Sequence, residues 1–185
     1  MKSQEKNVIK KDLILLGAGH SNIEVARKIG MNPLKGLRVT LISNHILATY
    51  SGMVPAYIAG IYSWKDINID LAHLCNNLGI RLILDKALKI DIKKRLIHFI
   101  HRPPIIYDYL SINVGIKSSQ SNIKGADKYA LKLKPISKIQ SSIDKVLKFN
   151  QPNKNIVLIG AGAAGIEVAL SLRAREKKNK ILNNI

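Results

Sequence analysis

Cysteine occurs once, at Cys75, so the chain can form no internal disulfide, no cysteine-rich metal centre and no redox-active cysteine pair of its own. Cys75 lies beside the apolar face of an amphipathic stretch, where a buried small hydrophobe is the expected role. Aromatic residues make up only 5% of the 185 positions, so a core has to be built from Ile, Leu, Val and Ala. No apolar run approaches the roughly 20 residues of a membrane span. Lys10, Lys11 and Asp12 interrupt the one early apolar stretch, so no secretory leader is read, and the expected compartment is the cytoplasm, with room for peripheral membrane association. Acid is scarce as well: 12 Asp and Glu face 30 Lys and Arg, a formal net charge of +18. That balance invites a nucleic-acid reading. The basic residues are dispersed, however, and the longest run is Lys93-Lys94-Arg95, so solvated lysines are the simpler account and nucleic acid is not the expected partner. No paired carboxylates, Ser/His/Asp set or His/Cys ligand spacing stands out, so no catalytic residue is named and no metal is expected.

What the chain does have is a strand–glycine–helix signature, twice. Leu13–Leu16 is a short apolar run of the kind buried on both faces of a parallel sheet. It stops at Gly17-Ala18-Gly19, and Ile23, Ala26 and Ile29 then fall at helical spacing from about Ser21. A strand turning through glycines into a helix forms a phosphate cradle, because the backbone can approach the ligand and the helix N-terminus offers free N–H groups and a positive dipole end. His20 stands where the helix opens and reads either as a phosphate contact or as an exposed loop histidine. The pattern returns at Ile156–Glu167, IVLIGAGAAGIE, with Gly160, Gly162 and Gly165 in place and Glu167 following. In the first copy Asn22 stands where a third glycine permits close helix–strand packing. The acid that holds ribose hydroxyls about 20 residues past the glycines is replaced by Ser43 or Asn44.

Between the two signatures, Leu37–Ser43 reads as the second strand of a βαβ unit. Tyr50-Ser51-Gly52-Met53 leads into a short helix, with Ser51 as N-cap and Gly60 as its C′ residue. Ile69–Leu78 reads as an amphipathic helix ended by Gly79, and Ile80–Leu84 as a strand. Ala87–Asp91 and Arg95–Ile100 form a hairpin or small meander, and Tyr107–Val114 is a strand that stops at Gly115. Ile116–Lys128 is a loop, Ile136 to about Asn150 a helix, and Gln151-Pro152-Asn153 a linker. A second helix runs from about Ala163 into Lys177, and the tail Asn179–Ile185 is too short to build a further strand and helix. Trp64 and Asp108 read as structural.

Two glycine-rich dinucleotide motifs, with YDYLSINVG before the second, resemble the two-dinucleotide-binding flavoproteins, the FAD/NAD(P)-binding pyridine nucleotide oxidoreductases. Without a cysteine pair the chain looks like the type II NADH dehydrogenase branch rather than the disulfide reductases. GAGHSN, LISNHILATYSGMVPAYIAGIYS, IDL and LKP look most like the oxidoreductase module fused to selenide, water dikinase in cyanobacteria. The polar residues 1–11 read as a disordered N-terminus; the resemblance implies an α/β chain, with a Rossmann-like FAD-binding domain with a small β-meander over 12–150, and the truncated start of a second Rossmann-like, NAD(P)H-binding domain over 151–185. It implies that Gly17, Ala18, Gly19, His20, Ser21 and Ser43 hold FAD, that Tyr50, Ser51, Gly52 and Met53 face the flavin, and that Gly115 lies by the FAD pyrophosphate. Gly160, Gly162, Gly165 and Glu167 would belong to the NAD(P)H site. The expected activity is hydride transfer from nicotinamide to flavin and on to an unknown acceptor, carried here by an N-terminal fragment. A non-catalytic remnant that at most binds nucleotide, and a basic nucleic-acid-binding module, are the alternatives.

Overall fold

The computed structural model describes residues 8–116, 123–148 and 155–182. Residues 1–7 of the expected disordered N-terminus, the Gln151–Asn153 linker, the central part of the 116–128 loop and the last three residues of the tail lie outside them. In chain order the elements are β1 (Lys11–Leu16), α1 (His20–Met31), β2 (Leu37–Ser43), β3 (Leu47–Thr49), α2 (Val54–Ile58), β4 (Asn68–Asp70), α3 (Leu71–Asn77), β5 (Arg81–Leu84), β6 (Ala87–Asp91), β7 (Leu96–Phe99), β8 (Ile105–Ile106), β9 (Tyr109–Ile112), α4 (Ala126–Tyr129), α5 (Ile139–Lys148) and α6 (Ala163–Leu182). They divide between two compact units, Met1–Ala48 with Ile69–Gly115, and Thr49–Asn68 with Ile116–Ile185.

The first unit is an α/β layer structure around a parallel sheet of order β5-β2-β1-β9. Leu13 of β1 is in register with Val39 on one side and Tyr109 on the other. Alternation along β1 feeds two cores. Leu15 packs with Val39, Leu41, and with Ile23 and Ala26 of α1 and Leu71 and Cys75 of α3. Ile14 and Leu16 face the other way, onto Ile42, Ile83, Ile97, Phe99 and Tyr107. Both faces of the sheet are therefore covered, which is why β1 reads as a continuous apolar run. Each fully buried Leu or Ile in these cores contributes about 2 kcal/mol through the hydrophobic effect.

The second cover is the antiparallel meander β6-β7-β8, with Ile90 opposite Ile97 and Ile97 opposite Ile105. The hairpin read between Asp91 and Arg95 is present, and Asp91 Oδ1 accepts from Lys94 N at 3.0 Å. β8 does not show in the sequence, because two residues after Pro103-Pro104 carry no periodicity. The helix read from Ile69 starts instead at Leu71. Asp70 caps it, accepting from the Ala72 and His73 amides at 2.9 and 3.0 Å, while Asn68–Asp70 is a short strand.

In the second unit α2, α5 and α6 share a core of Val54, Tyr57, Ile58, Ile67, Ile139, Ile143 and Val168. Trp64 lies edge-on to Tyr57 with ring centroids 5.3 Å apart. Ser51 is not an N-cap: it is the first residue of a single 3-10 turn, Ser51–Met53, and α2 follows without a side-chain cap. Gly60 does follow the end of α2, where Arg175 Nη1 donates to the Ile58 carbonyl at 3.2 Å and Lys178 Nζ to that of Gly60 at 3.1 Å. These cations satisfy carbonyls at the helix C-terminus and oppose its dipole. Ile156–Ile159, read as a buried strand, is not one: residues 155–161 form no strand, and Val157 and Ile159 are 82% and 65% exposed. A parallel strand exists only through its ladder partners, and no strand among the described residues pairs with this run.

Candidate functional site

The chain leaves β1 for β2 on one side, and β9 arrives on the other, so the strand order reverses beside β1. In an open parallel sheet that reversal opens a crevice at the carboxyl ends of the strands, where ligands bind. Here the crevice lies between Gly17–Gly19 and Asn113–Gly115. Gly17 donates its amide to the Ile42 carbonyl at 2.8 Å and Asn113 donates to Leu16 at 2.8 Å, so both turns leave the sheet together. Gly17 has φ +90°, and a Cβ there would stand 2.4 Å from the Asn113 carbonyl oxygen. A Cβ on Gly19 would stand 1.9 Å from Asn113 Oδ1. The glycines are thus required first by the approach of the β9 end.

Gly19 is the N-cap of α1, which has no side-chain cap and no acidic residue in its first turn. Twelve helical residues place a positive dipole end at this crevice. His20 and Ser21 are exposed where the helix starts, and Gly17, Ala18 and Gly19 are half-buried. The cradle therefore fits an anionic diphosphate: backbone without side chains in the way, a helix N-terminus and no competing acid.

Asn22 does what no glycine could. It is fully buried; its Nδ2 donates to the Leu16 and Gly17 carbonyls at 3.1 and 2.8 Å, and its Oδ1 accepts from Ser111 Oγ at 2.7 Å. The side chain ties the ends of β1 and β9 to the first turn of α1. Ser43, at the position of the missing acid, is buried, and its hydroxyl is committed to the next turn, donating to the His45 carbonyl at 2.8 Å and accepting from the His45 amide at 3.2 Å. Asn44 is exposed. Beside them lies a carboxylate that the sequence reading passed over. Asp85 donates its amide to the Ser43 carbonyl at 2.9 Å, and its 2% exposed side chain accepts from Lys86 N at 2.7 Å, His101 N at 3.3 Å and Arg102 Nε at 3.3 Å. It joins the end of β5 to the β7–β8 connection. Ser111 and Asn113 were also passed over as individual residues; their place in YDYLSINVG was the available signal.

Gly115 is exposed, with open space where a Cβ would be, so crowding does not explain it. Tyr50, Ser51, Gly52 and Met53 belong to the second unit; Met53 packs on the Val54 core, and a Cβ on Gly52 would meet the Tyr50 ring at 3.2 Å. In the second motif the turn is built even without a paired strand. A Cβ on Gly165 would lie 2.3 Å from the Gly160 carbonyl, and the Gly165 and Ile166 amides donate to Gly162 at 2.9 and 3.1 Å. Glu167 is exposed on the first turns of α6, its carbonyl accepting from Ser171 Oγ at 2.7 Å. Among the described residues no group of three or more His, Cys, Asp or Glu could hold a metal ion, and no helix is long and apolar enough to cross a membrane.

The family model described as pyridine nucleotide-disulphide oxidoreductase matches residues 11–184. NADH dehydrogenase-like protein YutJ of Bacillus subtilis is 26% identical over 174 residues, covering 93% of this chain and 48% of that protein. Sulfide-quinone reductase of Aquifex aeolicus is 32% identical over 110 residues, covering 58% of this chain and 25% of that protein. Among solved structures, NDH2 from Plasmodium falciparum in complex with NADH superposes with a TM-score of 0.75 at 24% identity, covering 94% of this chain and 39% of that one. At that identity the likeness speaks for the fold alone. The chain spans about half, or less, of the length of these relatives.

Proposed function

The chain belongs to the pyridine nucleotide-disulphide oxidoreductase family, and on that premise we propose that it forms the FAD-binding part, and the beginning of the NAD(P)H-binding part, of an NADH dehydrogenase-like flavoprotein. The observation that carries the reading is the cradle at the β1–β9 reversal, where Gly17, Ala18 and Gly19 run directly into α1. Its amides and dipole end would hold the FAD diphosphate, with His20 and Ser21 at its rim and Gly115 opposite. Asn22 fixes the distance between the two sides of the cradle. Ser43 would meet the adenosine ribose through backbone rather than through its engaged hydroxyl. Tyr50–Met53 are assigned to the flavin side, and Gly160, Gly162, Gly165 and Glu167 to the nicotinamide nucleotide. When bound, the flavin takes a hydride from the nicotinamide and passes electrons to an acceptor. Two relatives are, by name, reductases of ubiquinone and of quinone, which makes a quinone the first acceptor to try. The kinship with the module fused to selenide, water dikinase is part of the same proposal and rests on GAGHSN and LISNHILATYSGMVPAYIAGIYS.

The test is the visible spectrum of the purified chain before and after addition of FAD, followed by NADH. A protein-bound flavin band that bleaches with NADH supports the whole reading; a chain that takes up no FAD removes it. A second reading, nucleotide binding without turnover, is favoured by the unpaired run 155–161 ahead of the second motif. It expects the flavin band without bleaching.

A further inference from the structure

We propose that Asn113 is a ligand-positioning residue of the β1–β9 cleft, its side-chain carbonyl accepting a hydrogen bond from an O–H that arrives with the bound nucleotide. The inference rests on the dinucleotide reading of that cleft and adds a residue and a donor class to it.

Asn113 Oδ1 exposes less than 1 Å² and has no hydrogen-bond partner among the described residues. Native structures pair nearly all such atoms, because an unmade buried hydrogen bond costs as much as a lost one. Loose packing does not account for it, since the polar side chains nearby are fully engaged. Asn22 makes three hydrogen bonds and Ser111 one of them. Nor can the backbone shift to find a donor. The Asn113 amide is bound to the Leu16 carbonyl at 2.8 Å, and its carbonyl accepts from the Gly19 amide at 3.3 Å.

The position of the orphan atom says what it waits for. Oδ1 lies 1.9 Å from the point a Gly19 Cβ would fill, at the N-cap of α1, where the diphosphate would sit. A diphosphate offers only acceptors at neutral pH and cannot satisfy a carbonyl oxygen. An O–H can: a ribityl hydroxyl of the flavin nucleotide, or a water bound to the diphosphate. Because Oδ1 is covered in the free chain, loading turns the Asn113 amide out from beneath Gly19 toward that hydroxyl.

The experiment compares the full chain with Asn113→Leu, which keeps the volume and removes the acceptor. The free proteins are melted, and both are titrated with FAD and with ADP by calorimetry. The free Asn113→Leu protein should melt no lower than the parent, while its Kd for FAD rises about tenfold, the cost of one hydrogen bond lost from the complex. An equal loss for ADP identifies the donor as water on the diphosphate; an ADP affinity that stays put identifies the ribityl hydroxyl. Unchanged affinity for both ligands overturns the proposal, and a lower melting temperature with unchanged affinity does so too, making Asn113 structural. Should Asn113→Leu fail to fold, Asn113→Ala, which also lacks the acceptor, carries the same comparison. If the parent itself binds neither FAD nor ADP, the dinucleotide reading fails and this proposal with it.

Discussion

Asn22 Oδ1 accepts a hydrogen bond from Ser111 Oγ at 2.7 Å, joining residues 89 apart in sequence at the point where β1, β9 and α1 meet. With Asn22 fully buried, removing its amide leaves the Ser111 hydroxyl and the Gly17 carbonyl short of a partner. Asn22→Ala should destabilise the chain by about 2–3 kcal/mol, within the range of a broken buried network. Asn22→Gly, although it restores the usual third glycine, should cost more, because glycine inside a helix adds about 1 kcal/mol. Urea denaturation of the three proteins tests the order. A glycine variant as stable as the parent would show that the network contributes nothing.

The glycines of the first motif should be intolerant for a reason separate from ligand binding. At Gly17 an alanine must hold φ +90° with its methyl 2.4 Å from the Asn113 carbonyl oxygen. The left-handed conformation alone costs about 1–2 kcal/mol, and the clash is with backbone, which cannot swing away. Gly17→Ala should lower the urea midpoint and abolish FAD uptake together. Gly115→Ala, in open space, should leave the midpoint within error. Equal midpoints for all three proteins would contradict the geometry.

These residues also show what a sequence discloses and what it hides. β1 is readable because a strand covered on both faces must be apolar at every position, and the Asp91–Arg95 hairpin because the short break Ile92-Lys93-Lys94 separates two runs of strand length. Gly17 and Gly19 were found through their motif, yet their closest constraint is Asn113, reached only when β9 lies beside β1. Asn22 reads in sequence as a missing glycine; two of its hydrogen bonds go to Leu16 and Gly17 close by, but the third needs Ser111 of β9, 89 residues away. Asp85 was hidden likewise, since its partners at residues 101 and 102 return through the meander. The run Ile156–Ile159 has the composition of a buried strand, but composition supplies no ladder. Its reading fails for want of pairing, not of pattern.

Asp108 should shape the acid limb of the stability curve. Its carboxylate accepts from Lys11 Nζ at 2.9 Å and from the Asp12 amide at 2.8 Å. The Lys11 hydrogen bond first, and the Asp12 amide second, hold its pKa below the ordinary 3.8. A carboxylate with a depressed folded pKa stabilises the fold above its unfolded pKa, and that contribution is lost as pH falls through the folded value. Asp108→Asn should therefore be less stable than the parent at pH 7, with the two converging as pH falls from the ordinary 3.8 through the depressed folded value. Urea midpoints across that range would refute the assignment if the curves ran parallel.

Cys75 should be silent in the folded chain and visible only on unfolding. It is 2% exposed in the core that α1 and α3 share with the sheet, the buried small hydrophobe expected from its place on the helix. Burial pushes its thiol up from the ordinary 9.0 to about 11. The thiolate is the reactive form, so at pH 8 the native protein should resist a maleimide that labels the urea-unfolded chain within minutes. The same shift fixes a sign at alkaline pH. Below 9.0 the thiol is neutral in both states and contributes no slope; between 9.0 and about 11 only the unfolded chain ionises, so stability falls as pH rises. Cys75→Ala, lacking that proton, should flatten this part of the alkaline limb while losing some packing at every pH. Rapid labelling of the native protein at pH 8 would mean that α3 opens locally, and Cys75 would then report on that opening rather than on global unfolding.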